Sequence, residues 1–317
     1  MSLTPGAARD DHAANTNTGA APMIGRGRIG REAIGRRSLM KGLAGLGLTA
    51  LAAGRARAAG EQSHTGEPPT HGPVQLTSER VLGQSAIPVY RYRVVKVHPH
   101  DTSSYTEGFV LEGGSIYEGT GLYGRSRLIE WDLASGRVLR ERALDPNVFG
   151  EGVTVMGERI YQLTYLDNHA YVYDRRTFER IGAFRYTEQG WGMTHNGTHL
   201  ITSNGSSSIV FRDPATFERV RTIFVSDAVA PLGFLNELEY ADGKLYANVW
   251  QSPFIAIIDP VDGRMLGWID LSGLNPDPAK LVYPYVLNGI AFDKATGHLL
   301  VTGKCWPHVW EIALDLR

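Results

Sequence analysis

From Tyr90 onward, short runs of alternating apolar and polar residues are separated by turns rich in Gly, Asn and Asp. A period of two is typical of β-strands with one buried face. No stretch of helical periodicity is long enough to compete with this pattern. The sequence therefore predicts an all-β protein.

The strands repeat as a unit. A similar strand opening recurs at aligned positions 107, 151, 191, 236 and 288, which lie 44, 40, 45 and 52 residues apart. These spacings are typical of propeller blades. The openings are Thr106-Glu107-Gly108, Gly150-Glu151-Gly152, Gly190-Trp191-Gly192, Leu235-Asn236-Glu237 and Leu287-Asn288-Gly289.

Each opening is followed by a tight turn and three further strands, except in the last unit, which ends after its third strand. The unassigned strand around 92–97 can supply the missing fourth strand and remove an open sheet edge. The pattern predicts a five-bladed β-propeller over residues 88–317, one domain, with an N-terminal strand closing the last blade.

In a propeller the first strands line a central channel, so aligned opening positions should meet near its axis. These positions hold Glu107, Glu151, Trp191, Asn236 and Asn288. The ends of the second strands form another set, with Gly121, Tyr165, Gly205, Trp250 and Lys304. Carboxylates, amides, a lysine and aromatic rings thus converge on one mouth, as expected of a binding or catalytic site.

Each of these residues also has an ordinary structural interpretation. Glu151 can be bonded within its turn, Asn236 and Asn288 suit turns, and the tryptophans can pack between blades. Lys304 can be a surface lysine or a counter-ion for the two glutamates. Their convergence favours a site.

Composition narrows the choice of function. The chain has 317 residues, 43% of them hydrophobic, and a net charge of −1, which does not indicate a nucleic-acid partner. Cys305 is the single cysteine, so no intramolecular disulfide can form. His98 and His100 have no third ligand at convincing spacing, and phosphate-loop, dinucleotide and Gly-x-Ser-x-Gly motifs are missing. We expect no metal and no cofactor.

The first residues resemble a twin-arginine export signal. Arg36-Arg37 precedes a short apolar run of small residues, 42–53, and an Ala-x-Ala site at 56–58. We expect a signal over 1–58, a disordered leader over 59–87, a periplasmic or secreted protein, and no membrane anchor after cleavage.

Several motifs in one order resemble the plant-type glutaminyl cyclases, the glutaminyl-peptide cyclotransferases of plants and bacteria. The resemblance covers roughly 96–314. It rests on His98-Pro99-His100-Asp101, Gly121-Leu122-Tyr123-Gly124-Arg125-Ser126, Phe149-Gly150-Glu151-Gly152, Ala247-Asn248-Val249-Trp250-Gln251 and Thr302-Gly303-Lys304-Cys305-Trp306-Pro307, together with the openings at 190, 235 and 287. It implies a five-bladed propeller.

The resemblance also implies roles. Glu151 would be the acid–base carboxylate, with Asn236 and Lys304 binding or polarising the scissile amide. The substrate-binding set would be Glu107, Phe149, Tyr165, Trp191, Trp250 and Asn288. Relatives usually carry Gln where Glu107 stands and Trp where Tyr165 stands, so Glu107 adds a negative charge. The partner would be a peptide or protein with N-terminal glutamine, which the enzyme would cyclise with release of ammonia. The enzyme would act as a monomer and without a metal.

Two other functions remain open at this point. A non-catalytic propeller could bind a peptide or sugar in the same mouth. A metal-dependent hydrolase of the lactonase kind could use Glu107, Glu151, Asn236 and Asn288 as ligands.

Overall fold

The computed structural model describes residues 76, 78–83, 86–277 and 284–316. They form an all-β protein, as predicted, with one short helix, α1 (Ser78–Leu82). No helix among the described residues is both long and apolar enough to cross a membrane. The predicted export signal, 1–58, lies outside the described residues.

Three antiparallel sheets each contain four strands that are consecutive in the chain. The first holds β2 (Thr106–Glu112), β3 (Ser115–Thr120), β4 (Arg127–Asp132) and β5 (Val138–Ala143). The second holds β6 (Gly150–Met156), β7 (Arg159–Thr164), β8 (His169–Asp174) and β9 (Arg180–Arg185). The third holds β10 (Met193–His195), β11 (Leu200–Ser203), β12 (Ser208–Arg212) and β13 (Arg219–Phe224).

The remaining strands form one eight-stranded sheet. Its strands are β1 (Val89–Pro99), β14 (Leu235–Ala241), β15 (Lys244–Val249), β16 (Phe254–Ile258), β17 (Met265–Asp270), β18 (Leu287–Asp293), β19 (His298–Gly303) and β20 (His308–Leu316). The order is β14-β15-β16-β17-β1-β20-β19-β18. The N-terminal strand β1 pairs antiparallel with β20, as expected, and the last sheet unit gains its fourth strand.

A short parallel contact joins the last two units, which the repeat did not predict. Val89 and Tyr90 of β1 pair with Trp268 and Ile269 of β17. Because the chain enters β1 beside the outer strand of the preceding unit, these two residues bridge the units before β1 continues along β20.

The first strands contact one another in a closed cycle. β2 contacts β6, β6 contacts β10, β10 contacts β14, β14 contacts β18, and β18 contacts β2. Glycines allow the close approach: a Cβ on Gly108 would lie 2.8 Å from Cα of Gly152, and one on Gly192 would lie 2.8 Å from Cα of Glu237. Atoms this close would clash, so the openings need glycine.

The predicted hairpin turns are present between the first and second strands. Each contains a glycine in the left-handed region that such turns require. The φ values are 85° at Gly114, 61° at Gly157, 85° at Gly197, 75° at Gly243 and 73° at Gly297.

Part of the segment predicted to be a disordered leader is structured. Helix α1 lies within it, and Leu76, Val81 and Ile87 are buried in a core cluster. Arg80 also forms a 2.7 Å ion pair with Asp227. The Gly- and Pro-rich composition predicted disorder because an average over 59–87 hides a few apolar residues that bury against the sheets.

Candidate active site

The centre of the candidate site is a pair of buried glutamates. Glu107 on β2 and Glu151 on β6 are 2% and 5% exposed, and each carboxyl group influences the pKa of the other. Two neighbouring buried carboxyl groups repel each other when both are ionised, which favours a proton on one of them.

The surroundings decide which glutamate holds the proton. The Lys304 ammonium donates to Oε1 of Glu107 at 2.6 Å, and Asn288 Nδ2 donates to its Oε2 at 3.2 Å. Burial raises the pKa of Glu107, while Lys304 acts in the opposite direction. Burial and then the negative charge of Glu107 hold the pKa of Glu151 well above its usual range. These contacts favour Glu107 as the anion and Glu151 as the protonated acid.

A β-bulge lies at each glutamate and each asparagine of the predicted channel positions. The strand register shifts between Thr106 and Gly108, between Gly150 and Val153, and at the corresponding points of β14 and β18. Bulges re-aim side chains next to functional sites. They explain how a residue at a strand opening can face the axis.

Backbone hydrogen bonds show that four of the five positions in the second set are equivalent, Gly205 being the exception. The first residue after the second strand donates its N–H to the residue two positions before the opening of the same unit. This bond is present for Gly121 to Tyr105 (2.8 Å), Tyr165 to Phe149 (3.0 Å), Trp250 to Phe234 (2.9 Å) and Lys304 to Val286 (2.9 Å). In each case it holds the end of the second strand beside the channel position.

Four of the predicted aromatic site residues form two half-buried pairs. The rings of Phe149 and Tyr165 are 5.8 Å apart, and those of Trp191 and Trp250 are 5.7 Å apart in an edge-to-face arrangement. The repeat predicted that Trp191 lies in a strand opening. In the structure Trp191 lies just before β10. The predicted aromatic walls are thus two separate clusters.

The glycines among the second-strand ends make room for these rings. A Cβ on Gly205 would lie 2.6 Å from the Trp191 ring. A Cβ on Gly121 would collide with the Phe149 ring and lie 3.1 Å from Cγ of Glu107. The Phe149 ring and the Glu107 side chain therefore both border the space beside Gly121.

Asn236 is buried on β14, at 3% exposure, but its side chain has no described hydrogen bond to either glutamate. Its Oδ1 has no hydrogen-bond partner in the described part of the chain, while its backbone oxygen accepts from Ser203 Oγ at 2.7 Å. A buried, unpaired amide oxygen is costly unless a ligand or water completes it.

The sequence reasoning missed two aromatic residues. The Lys304 ammonium lies 4.6 Å from the ring centre of Tyr105, and the Phe234 ring lies 5.8 Å from that of Trp250. Like Phe149, both stand two positions before a channel residue. This repeated spacing is the signal that could have found them.

His98 and His100 serve other purposes. His98 Nδ1 is 3.1 Å from the Leu133 oxygen, and His100 lies between the Trp306 oxygen (2.8 Å) and the buried Glu118 (3.1 Å). Among the described residues, no three His, Cys, Asp or Glu side chains are grouped to hold a metal ion.

The closed cycle of first strands and the buried pair of glutamates are typical of a propeller-like protein with a polar site near its axis. The sequence matches the family described as glutamine cyclotransferase over residues 71–314. It is 40% identical to the glutaminyl-peptide cyclotransferase of Arabidopsis thaliana over 225 residues, which cover 70% of each chain. The structure resembles the crystal structure of Myxococcus xanthus glutaminyl cyclase, with a TM-score of 0.68, 33% identity, and coverage of 73% of this chain and 99% of that one.

These matches cover most of the chain and agree with one another. The chain belongs to the glutamine cyclotransferase family.

Proposed function

We propose that the chain is a glutaminyl-peptide cyclotransferase, which converts the N-terminal glutamine of peptides or proteins into pyroglutamate and releases ammonia. The observation that carries the proposal is the buried pair of glutamates, in which Glu107 binds Lys304 and the pKa of Glu151 is raised well above its usual range. Family membership supports the same activity.

We infer that the fold around this site is a five-bladed β-propeller closed by β1. The cycle of contacts among the first strands supports this arrangement. The pairing of β1 with β20 gives the last unit the same number of strands as the others.

The reaction needs a neutral α-amine to attack the side-chain amide carbon. A free α-amine has a pKa of about 8, so deprotonation near neutrality costs little, and protonating the leaving nitrogen is the harder step. The Glu151 carboxyl donates its proton to the amide nitrogen as the carbon–nitrogen bond breaks. The resulting Glu151 carboxylate takes a proton from the attacking amine nitrogen. Ammonia leaves, and Glu151 is again a carboxylic acid.

Negative charge develops on the amide oxygen as the new bond forms. Lys304 and Asn236 are assigned to donate hydrogen bonds to that oxygen. A preorganised donor of this kind is worth on the order of 3 kcal/mol. The amine and the amide belong to one residue, so the ring closes without bringing two molecules together.

The aromatic clusters are assigned to hold the substrate. Phe149 and Tyr165 form one wall, and Trp191 and Trp250 form the other. Apolar walls exclude water, and low polarity keeps the pKa of Glu151 high. Asn288 donates a hydrogen bond to Glu107, which in turn fixes the position of Lys304.

The twin-arginine motif supports action outside the cytoplasm, on peptides or proteins that carry N-terminal glutamine there. We propose that the chain acts as a monomer.

The proposal is tested by incubating the purified chain with a peptide that begins with Gln and measuring ammonia release and loss of one ammonia by mass spectrometry. A matched peptide that begins with Asn is the control, because its shorter side chain would have to close a strained four-membered ring. We expect ammonia from the Gln peptide alone. Release no faster than the spontaneous reaction would contradict the proposal.

A further inference from the structure

Two large apolar residues are exposed in loops that carry residues of the site. Tyr123 is 53% exposed in the loop after β3, and Leu166 is 54% exposed in the loop after β7. Single exposed apolar residues are normal. Tyr123, however, contacts Phe149, and Leu166 directly follows Tyr165, whose ring also contacts Phe149.

Phe149 stands between Tyr123 and the glutamates. The ring centres of Tyr123 and Phe149 are 5.4 Å apart, and the Phe149 ring and the Glu107 side chain both border the space beside Gly121. Partial burial, Asp167, Tyr165 and Glu151 each raise the pKa of Tyr123. This is consistent with a hydroxyl that faces the mouth.

The loop that carries Tyr123 is held in an unfavourable backbone conformation. Leu122 has φ of 82°, a region that side-chain-bearing residues rarely adopt. Ser126 stabilises the loop, because its hydroxyl donates to the Leu122 oxygen at 2.9 Å and accepts from Gly150 N at 3.0 Å. The loop is thereby attached to the residue next to Glu151. Strain that is held in this way often marks a functional position.

From these contacts we infer that Tyr123 and Leu166 form a subsite for the side chain of the residue that follows the N-terminal glutamine, and that the subsite favours large apolar or aromatic side chains. The inference rests on the proposed function. With the amide at Glu151, the α-carbonyl must point out of the mouth. The next Cα lies about 3.8 Å beyond the first, so the next side chain lies outside the mouth, where Tyr123 is exposed.

The expected preference is modest. Covering about 60 Å² of apolar surface at about 25 cal/mol per Å² corresponds to roughly a tenfold change in kcat/KM. We therefore expect the chain to cyclise Gln-Phe and Gln-Leu peptides about tenfold more efficiently than a matched Gln-Gly peptide.

The test measures kcat/KM for Gln-Phe and Gln-Gly peptides with the wild type and the variants Tyr123→Ala, Leu166→Ala and Tyr123→Phe. We expect each alanine variant to reduce the preference to about threefold or less with Gln-Gly turnover unchanged, and Tyr123→Phe to retain it. Ile181→Ala is the control, since Ile181 is equally exposed, at 56%, on β9.

Equal efficiency for both peptides in the wild type, or alanine variants that slow both peptides alike, would overturn the subsite while leaving the cyclase activity established. No ammonia from any Gln peptide would overturn the proposed function and the subsite with it.

Discussion

Replacing Glu107 with Gln should move the acidic limb of the pH profile to lower pH. In the reactive complex, Glu151 and the substrate α-amine hold one proton between them. At low pH both groups are protonated, the amine can no longer attack, and the reaction fails. The negative charge of Glu107 helps to hold the pKa of Glu151 above its usual range. Gln removes that charge and leaves the Lys304 cation to favour ionised Glu151. Both effects lower the pKa of Glu151.

Coulomb's law gives the order of magnitude of the shift. Two unit charges about 4 Å apart interact by ~4 kcal/mol at an effective dielectric constant of about 20, or about 3 pKa units. Lys304, at 2.6 Å, already offsets much of the charge on Glu107. We therefore expect the limb to move down by about 1 to 3 pH units, depending on this offset.

The assay measures kcat/KM for one Gln peptide across pH in the wild type and Glu107→Gln. Glu112→Gln is the matched control. Glu112 lies on the same strand as Glu107, is partly exposed, and forms a 3.4 Å ion pair with Arg175. Its profile should equal that of the wild type. An acidic limb that stays in place or rises in Glu107→Gln would refute the assignment of the proton to Glu151.

Two further predictions concern the walls and the support of the site. Trp191→Ala should raise KM about tenfold with a smaller effect on kcat, because it removes apolar binding surface rather than acid–base chemistry; a fall in kcat at unchanged KM would contradict this. Glu118→Gln should lower the free energy of unfolding at pH 7 by about 3 to 5 kcal/mol, since it leaves buried His100 without its ionic partner. Burial raises the pKa of Glu118, but His100, Thr106 and Trp131 outweigh burial and lower the pKa overall. The difference in unfolding free energy between wild type and variant should therefore shrink as pH falls through that lowered pKa. Equal denaturant midpoints at pH 7 would contradict this role.

The sequence predicted the fold well because its signals are local. Turn glycines such as Gly197 and Gly243 have a conformational requirement that the sequence displays directly. The bridge between β1 and β17 and the helix α1 depend on which surfaces meet after folding, and neither has a local pattern.

The site could be predicted as a set of positions but not as a network. Aligning the repeat placed Glu107, Glu151 and Lys304 together, yet it left Lys304 as a counter-ion for either glutamate. The structure pairs it with Glu107, and burial and the charge of Glu107 raise the pKa of Glu151. The contact between Lys304 and Glu107 joins two different units, which an alignment of the repeat cannot show.

Buried carboxyl groups outside the mouth were invisible in the sequence for the same reason. Glu237 is fully buried, and it accepts backbone N–H groups of Phe109 (3.2 Å) and Ile290 (2.8 Å) from two other sheet units. Burial first, and then Glu239, raise the pKa of Glu237 well above its usual range. In the sequence it is one more polar residue in an alternating strand.

The central claim is that the Glu151 carboxyl transfers the proton during cyclisation. It is tested most directly by the rate of ammonia release from a Gln peptide in the wild type and in Glu151→Gln, with circular dichroism to confirm that both are folded. We predict that kcat falls by about 10² to 10⁴ in the variant, because the amide cannot exchange a proton with the substrate. A folded Glu151→Gln variant that releases ammonia at the wild-type rate would contradict the account.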